Sequence, residues 1–197
     1  MIMDSNKLLP IEPKQSRSKK KFENILNSAE EILIQDKNVL TFISLSIHSK
    51  YKRASIYKYF PSTESLYIGI LTRHLDKFSK LLNNNFKDKT DLNLEWYLKI
   101  YIDLLAIYLD KNKHLVEVFN LCDGMNLKQL TLNKNSFIET LISSLKNLEI
   151  KHSEEKVRLA TLLAMTILTE NLDVNLSIRP RTIAEAKKAC LAYLNTP

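Results

Sequence analysis

The sequence predicts an all-helical protein. Only two of its 197 residues are glycine and five are proline, so the residues that punctuate strands and tight turns are scarce, while Leu, Ile, Lys, Asn and Glu dominate. Over most of the chain the apolar residues recur at the 3, 4, 7 spacing of a helix face. A chain of this length buries enough surface for one or two compact units without a covalent staple.

In chain order, residues 1 to 15 carry Pro10 and Pro13 and no apolar period, and are expected to form a flexible arm. Phe22, Ile25, Leu26, Ala29, Ile32 and Leu33 then line one face of a first helix. Ser16 or Ser18 suits its start and Asp36, Lys37 and Asn38 its end. Two short segments follow, residues 41 to 47 and 53 to 59, with Thr41 as a candidate N-cap. Phe42, Ile43, Ile47, Ile56, Tyr57 and Tyr59 are β-branched or aromatic, so by pattern alone these segments read equally as helices or strands. Pro61 stops the second segment, and Ser62 caps a long helix with Ser65 at the capping-box position and Glu64 in its first turn. Leu66, Ile70, Leu75, Phe78 and Leu82 form its stripe, and the polar residues 83 to 91 mark a domain boundary.

Beyond that boundary, Leu94, Tyr97, Leu98, Tyr101, Ile102, Leu105 and Leu109 predict another amphipathic helix. A shorter one spans residues 113 to 121, broken at Asp123 and Gly124, and Phe137, Leu141, Ile142 and Leu145 mark a third that ends near Leu148. Ser153, Glu154, Glu155 and Lys156 open a strongly apolar helix with Val157, Ala160, Leu163, Ala164, Ile167 and Leu168, and Leu159, Leu162 and Met165 on its other side. Residues 179 to 182 break the chain before a last helix carrying Ile183, Ala186, Ala189, Cys190, Tyr193 and Leu194. Surplus apolar surface on these two final helices, near 154 to 176 and 182 to 195, implies a subunit interface and hence a homodimer.

The formal net charge of +7 favours an anionic partner, nucleic acid or a membrane surface. Lys14, Arg17, Lys19, Lys20 and Lys21 oppose only Glu12 just before the first strong helix; the alternative is a solvated lysine-rich tail. The longest nearly apolar run, Leu159 to Leu168, is too short to cross a bilayer, and the first residues lack the apolar core of a secretion signal, so no membrane association is expected. Cys122 and Cys190 stand far apart without CxxC spacing, which fits a reducing cytoplasm better than a disulfide framework or a zinc site.

Residues 41 to 60, TFISLSIHSKYKRASIYKYF, followed by PSTESL and preceded by ILNSAEEIL, resemble the N-terminal domain of TetR-family transcriptional regulators. That family's pattern is a helix, a scaffold helix, a turn and a recognition helix ending in Leu/Ile-Tyr-x-Tyr/His-Phe, then Ser-x-Glu-x-Leu. Ile56 to Phe60 and Ser62 to Leu66 sit in that register, and the resemblance covers about residues 18 to 78. It selects helices over strands for both short segments. The implied fold is an N-terminal three-helix helix-turn-helix DNA-binding domain, after a basic arm of residues 1 to 17, and a C-terminal helical ligand-binding and dimerisation domain at 86 to 197. The implied function is a sequence-specific regulator, usually a repressor, that binds double-stranded DNA at a palindromic operator and is released by a small-molecule effector.

On this resemblance Ile56 and Phe60 pack inward, Arg53 and Ser55 face bases, and Tyr57 and Tyr59 offer hydroxyls to phosphates. Lys52 and Lys58 add charge there, Thr41 and Lys50 belong to the same surface, and Lys19, Lys20 and Lys21 act from the arm or the first helix. Lys50 stands where the family usually has glycine and Tyr51 where a small aliphatic is common; a positive φ at Lys50 would strain the turn by about 1 kcal/mol. Thr63 occupies a position where many members carry a phosphate-binding lysine.

In the second half, Trp96, Tyr97, Tyr101, Tyr108, Phe119 and Phe137 are candidates to line an effector cavity, with ordinary core packing as the alternative. No glycine-rich phosphate loop, HExxH, EF-hand loop or Ser-His-Asp arrangement is visible, and His48, His74, His114 and His152 are isolated in sequence. No enzyme, cofactor or metal site is expected. The competing reading is a helical protein-interaction module without specific DNA binding.

Overall fold

Phe22, Ile25, Leu26, Ala29, Ile32 and Leu33, the six positions of the first apolar stripe, are all buried along one side of helix α1, Ser16–Gln35. The computed structural model describes residues 9–35, 40–87, 93–124, 134–145, 152–172 and 177–196. Among these residues every regular element is a helix: α1 is followed by α2, Phe42–Ser49, α3, Arg53–Tyr57, and α4, Thr63–Phe86. Then come α5, Leu94–Lys111, α6, His114–Gly124, α7, Lys134–Ser144, α8, Glu154–Glu170, and α9, Pro180–Leu194. Among the described residues no helix is long and apolar enough to cross a membrane.

The chain forms two compact units, one of residues 9–74 and 120–124, the other of residues 75–119 and the described residues from 134 onward. The division falls inside α4, after His74, and inside α6, after Phe119.

In the first unit, the Ile11 amide donates to the Tyr59 carbonyl at 2.8 Å, and helix α1 begins at Ser16. Phe22 stacks on Phe60 (centroids 4.7 Å apart) and meets the edge of Tyr59 at 6.1 Å. Gly69 permits the close approach of α4, because a Cβ there would stand 3.0 Å from Leu26 and 3.1 Å from Phe60. Ser65 takes the place of the glutamate of a capping box: its amide donates to Ser62 Oγ and its Oγ accepts from the Ser62 amide, both at 3.2 Å.

The second unit is built on α5, α8 and α9. Ser153 caps α8, accepting from the Lys156 amide at 3.2 Å. Pro180 starts the last helix, inside the break predicted at residues 179 to 182. It sits in the first turn of α9, where its missing amide costs no intrahelical bond. Helix α6 ends at Gly124, within the break expected at Asp123 and Gly124. Cys190 lies buried on α9, and burial pushes its thiol up to about 12, so it packs as a small apolar group. The predicted helix ends at 36–38 and 146–148, residues 88–91 of the predicted boundary and residues 1–8 of the arm lie outside the described residues.

Candidate nucleic-acid interface

The site starts from two short helices, each too short to stand alone and each anchored by one buried side chain, Leu45 on α2 and Ile56 on α3. Thr41 N-caps α2 in a reciprocal box: its Oγ1 accepts from the Ser44 amide at 3.1 Å, and its own amide donates to Ser44 Oγ at 3.0 Å. Phe42, Ile43, Ile47, Ile56 and Tyr57 are therefore helical, as the family resemblance implies and local propensity alone does not, and Tyr59 lies in the turn that follows.

The turn between the two helices is set by Lys50, which has φ 58 and ψ 18 and is the sole non-glycine residue with positive φ among those described. Hydroxyls tie down the chain around it. Ser46 Oγ donates to the Tyr51 carbonyl at 2.8 Å and Ser49 Oγ to the Leu45 carbonyl at 2.6 Å. Asn24 Nδ2 on α1 donates to the Tyr51 hydroxyl at 3.3 Å, and Lys21 Nζ lies 4.8 Å from the centre of the Tyr51 ring. Tyr51 thus joins the turn to α1 through contacts a small aliphatic residue does not make.

Left-handed backbone costs an L-residue about 1 to 2 kcal/mol, and glycine escapes that cost at some expense in unfolded-state entropy. Lys50→Gly is therefore expected to stabilise the protein by about 0.5 to 1 kcal/mol, read as a rise of a few degrees in Tm. A fall in Tm would mean that the lysine side chain contributes more than its backbone strain removes.

The outward surface of α3 carries Arg53, Ala54, Tyr57 and Lys58, all exposed, with Lys52 exposed at its N-cap and Ser55 half-buried. Tyr57 is 47% exposed and its ring stacks on Phe42 of α2, centroids 4.2 Å apart at 23°, so the hydroxyl sits on a stiff support. Lys50, Thr41, Lys19 and Lys20 are exposed as well. Among the site candidates, Tyr59 differs from Tyr57 in that its ring packs edge-on against Phe22 and the residue is 5% exposed. The chain turns inward just past the end of α3, which sends Tyr59 to the opposite side from Tyr57. Lys21 also differs from its neighbours, being half-buried over Tyr51. Ala54, which a residue-type search passes over, stands at the exposed surface, and the helical phase of Ile56 and Phe60 is the signal that points to it.

In the second unit, Tyr101, Tyr108, Phe119 and Phe137 come together with Phe78, at centroid distances of 5.2 to 5.8 Å about Phe78 and 5.6 Å between Phe119 and Phe137. The Tyr101 hydroxyl donates to the Phe137 carbonyl at 2.8 Å, and burial raises its pKa far above the ordinary phenol value. Tyr97 stacks on Phe86 at 3.7 Å. These are packed core contacts. Trp96 is 37% exposed at the start of α5, where the helix turns it outward, and it does not share the set.

The architecture matches solved structures. A Mesorhizobium loti protein described as a TetR-family transcriptional regulator superposes with a TM-score of 0.65, over 91% of this chain and 96% of that one, at 13% identity. The transcriptional regulator FadR from Bacillus subtilis, solved in complex with stearoyl-CoA, superposes with a TM-score of 0.55, over 88% and 98%, at 12% identity. No protein-family model and no curated protein matches the sequence. The chain has the all-α fold of TetR-family regulators.

Proposed function

We propose that the chain is a sequence-specific DNA-binding transcriptional regulator: a homodimer that represses from a palindromic operator and is released by a small, largely apolar effector. The observation that carries this reading is the outward face of α3, where Arg53, Tyr57 and Lys58 stand exposed on a helix whose other side is pinned by Ile56 and Phe60. A helix so mounted enters a major groove without unfolding anything, its cations meeting phosphates and Arg53 meeting guanine O6 and N7. Lys19, Lys20, Lys50, Lys52 and Lys58 then supply sequence-independent attraction, and Thr41 and Ser55 supply further polar contacts. Selection of bound duplexes from a random pool, followed by competition at raised salt, tests it: a palindromic site is the expected result. Uniform weak binding would leave the chain as a helical interaction module.

The homodimer rests on α8, where Leu159 and Leu163 are 44% and 42% exposed one helical turn apart. Apolar side chains so placed are what an isologous interface buries. Leu163→Glu is expected to give monomers in sedimentation and to lower operator affinity about a hundredfold or more, since one half-site no longer recruits the other. A dimer indifferent to charges at Leu159, Leu163 and on α9 would remove this part of the proposal.

For the effector, one protein of this fold, FadR, is solved in complex with stearoyl-CoA. The aromatic interior of the second unit, Tyr97, Tyr101, Tyr108, Phe119 and Phe137, supports an apolar effector here, while Trp96 stands apart from that set. Thermal stabilisation by acyl-CoAs and other apolar metabolites, coupled to loss of DNA affinity, is the corresponding test.

A further inference from the structure

The helical turn that presents α3 continues past Tyr57, because the Phe60 amide donates to the Ile56 carbonyl at 2.9 Å. At about 100° per residue, the buried side chains Ile56, Tyr59 and Phe60 share one side of this turn. The direction opposite to them falls on Ala54. Tyr57 lies on one flank of it and Lys58 on the other, with Arg53 further round beyond Tyr57 and Ser55 further round beyond Lys58; Arg53, Tyr57 and Lys58 are exposed and Ser55 is half-covered. The outermost side chain of the proposed recognition helix is therefore a methyl group with neither donor nor acceptor.

A helix lying in the major groove brings its outermost residue nearest to the base edges. Of the groups the four bases present there, the 5-methyl of thymine is the apolar one, and alanine is among the side chains that pack against it. The Tyr57 ring, held against Phe42, adds a second apolar surface on the same flank as Arg53. We propose, resting on the DNA-binding reading above, that Ala54 is a specificity-determining residue that packs on the 5-methyl group of one thymine in each half-site. Arg53 and Lys58 then address the neighbouring base and phosphate positions, and the base that meets the crown of the helix is chosen by its methyl.

The DNA can be changed instead of the protein. In the selected operator each thymine is replaced in turn by uracil, which keeps pairing and every hydrogen-bonding edge and deletes only the methyl group. One position per half-site is expected to lose about fourfold in affinity, and both half-sites together about fifteenfold. Ala54→Gly, checked for folding by circular dichroism, is expected to bind the thymine operator as weakly as the wild-type protein binds the uracil one, with no further loss on combining the two. A specific operator whose uracil scan is flat overturns the Ala54 assignment alone, as does a uracil effect of equal size in both proteins. Recovery of no preferred duplex overturns the regulator reading and this inference together.

Discussion

Glu30→Ala is expected to destabilise the first unit by about 3 kcal/mol or more, a fall in Tm of roughly 12 °C or more. Glu23, Asn27 and Glu30 lie at positions i, i+4 and i+7 of α1 and present one polar line to α4. The guanidinium of Arg73 spans that line, donating to Glu23 Oε2 at 3.2 Å, to Asn27 Oδ1 at 2.7 Å and to Glu30. The other oxygen of Glu30 pairs with buried His74. The side chains of Arg73 and Glu30 are 12% and 15% exposed, so removing this carboxylate leaves a nearly buried cation with the half-exposed Glu23 as its charge partner. Breaking a buried pair by deleting one member is costly because the survivor remains desolvated, whereas an exposed pair contributes about 1 kcal/mol at most. Glu23→Ala should thus cost well under about 1 kcal/mol. Urea unfolding of the two variants decides the point, and equal midpoints would show that solvent screens Glu30 as fully as Glu23.

How legible these elements are depends on how many buried positions each one has. Helix α1 places six apolar residues in phase over twelve positions, enough for the period to declare itself, and all six are buried. Helices α2 and α3 have one buried residue each, Leu45 and Ile56. No period is visible in so short a pattern, and β-branched Ile43, Ile47 and Ile56 pull local propensity towards strands. Only the motif around Ile56-Tyr57-Lys58-Tyr59-Phe60 resolves that ambiguity, and the solved structures of this fold agree with it. The division after His74 is invisible in sequence because α4 contributes to both units and its apolar stripe continues through that residue.

Site residues are harder to read because residue type does not fix direction. Tyr57 and Tyr59 are two positions apart and differ only in which side of the turn they leave from; one is exposed on Phe42 and the other is core. Lys19, Lys20 and Lys21 form one charge run, yet Lys21 is turned back over the Tyr51 ring. The glycine-to-lysine departure at position 50 is legible as a question, whether a side chain tolerates the turn, and φ 58 answers that the backbone keeps the left-handed form and bears its cost. Trp96 groups with the other aromatics by composition, which contains no information about its exposure.

Arg53→Ala and Lys20→Ala are expected to separate two kinds of DNA contact. Arg53 opens α3 and is exposed, while Lys20 is exposed on α1 and outside the presented face of α3. If Arg53 reads a guanine, its loss costs roughly 1 to 3 kcal/mol per half-site on the cognate duplex. It relaxes preference at one position of each half-site and leaves most binding to scrambled duplexes intact. A lysine that meets a phosphate carries no sequence information, so Lys20→Ala weakens cognate and scrambled duplexes together. It also makes the slope of log affinity against log salt shallower by about 0.9 for each phosphate left unneutralised, or about 1.8 in a symmetric dimer. Lys21, already engaged with Tyr51, should change the slope less than Lys20 does. Binding measured at several salt concentrations on matched cognate and scrambled duplexes distinguishes these outcomes. Equal loss on both duplexes for Arg53→Ala would make Arg53 a phosphate clamp and leave base choice to Ala54 and Tyr57. No loss on either duplex would take α3 out of the interface, and the exposed face that carries the regulator reading would lose its partner.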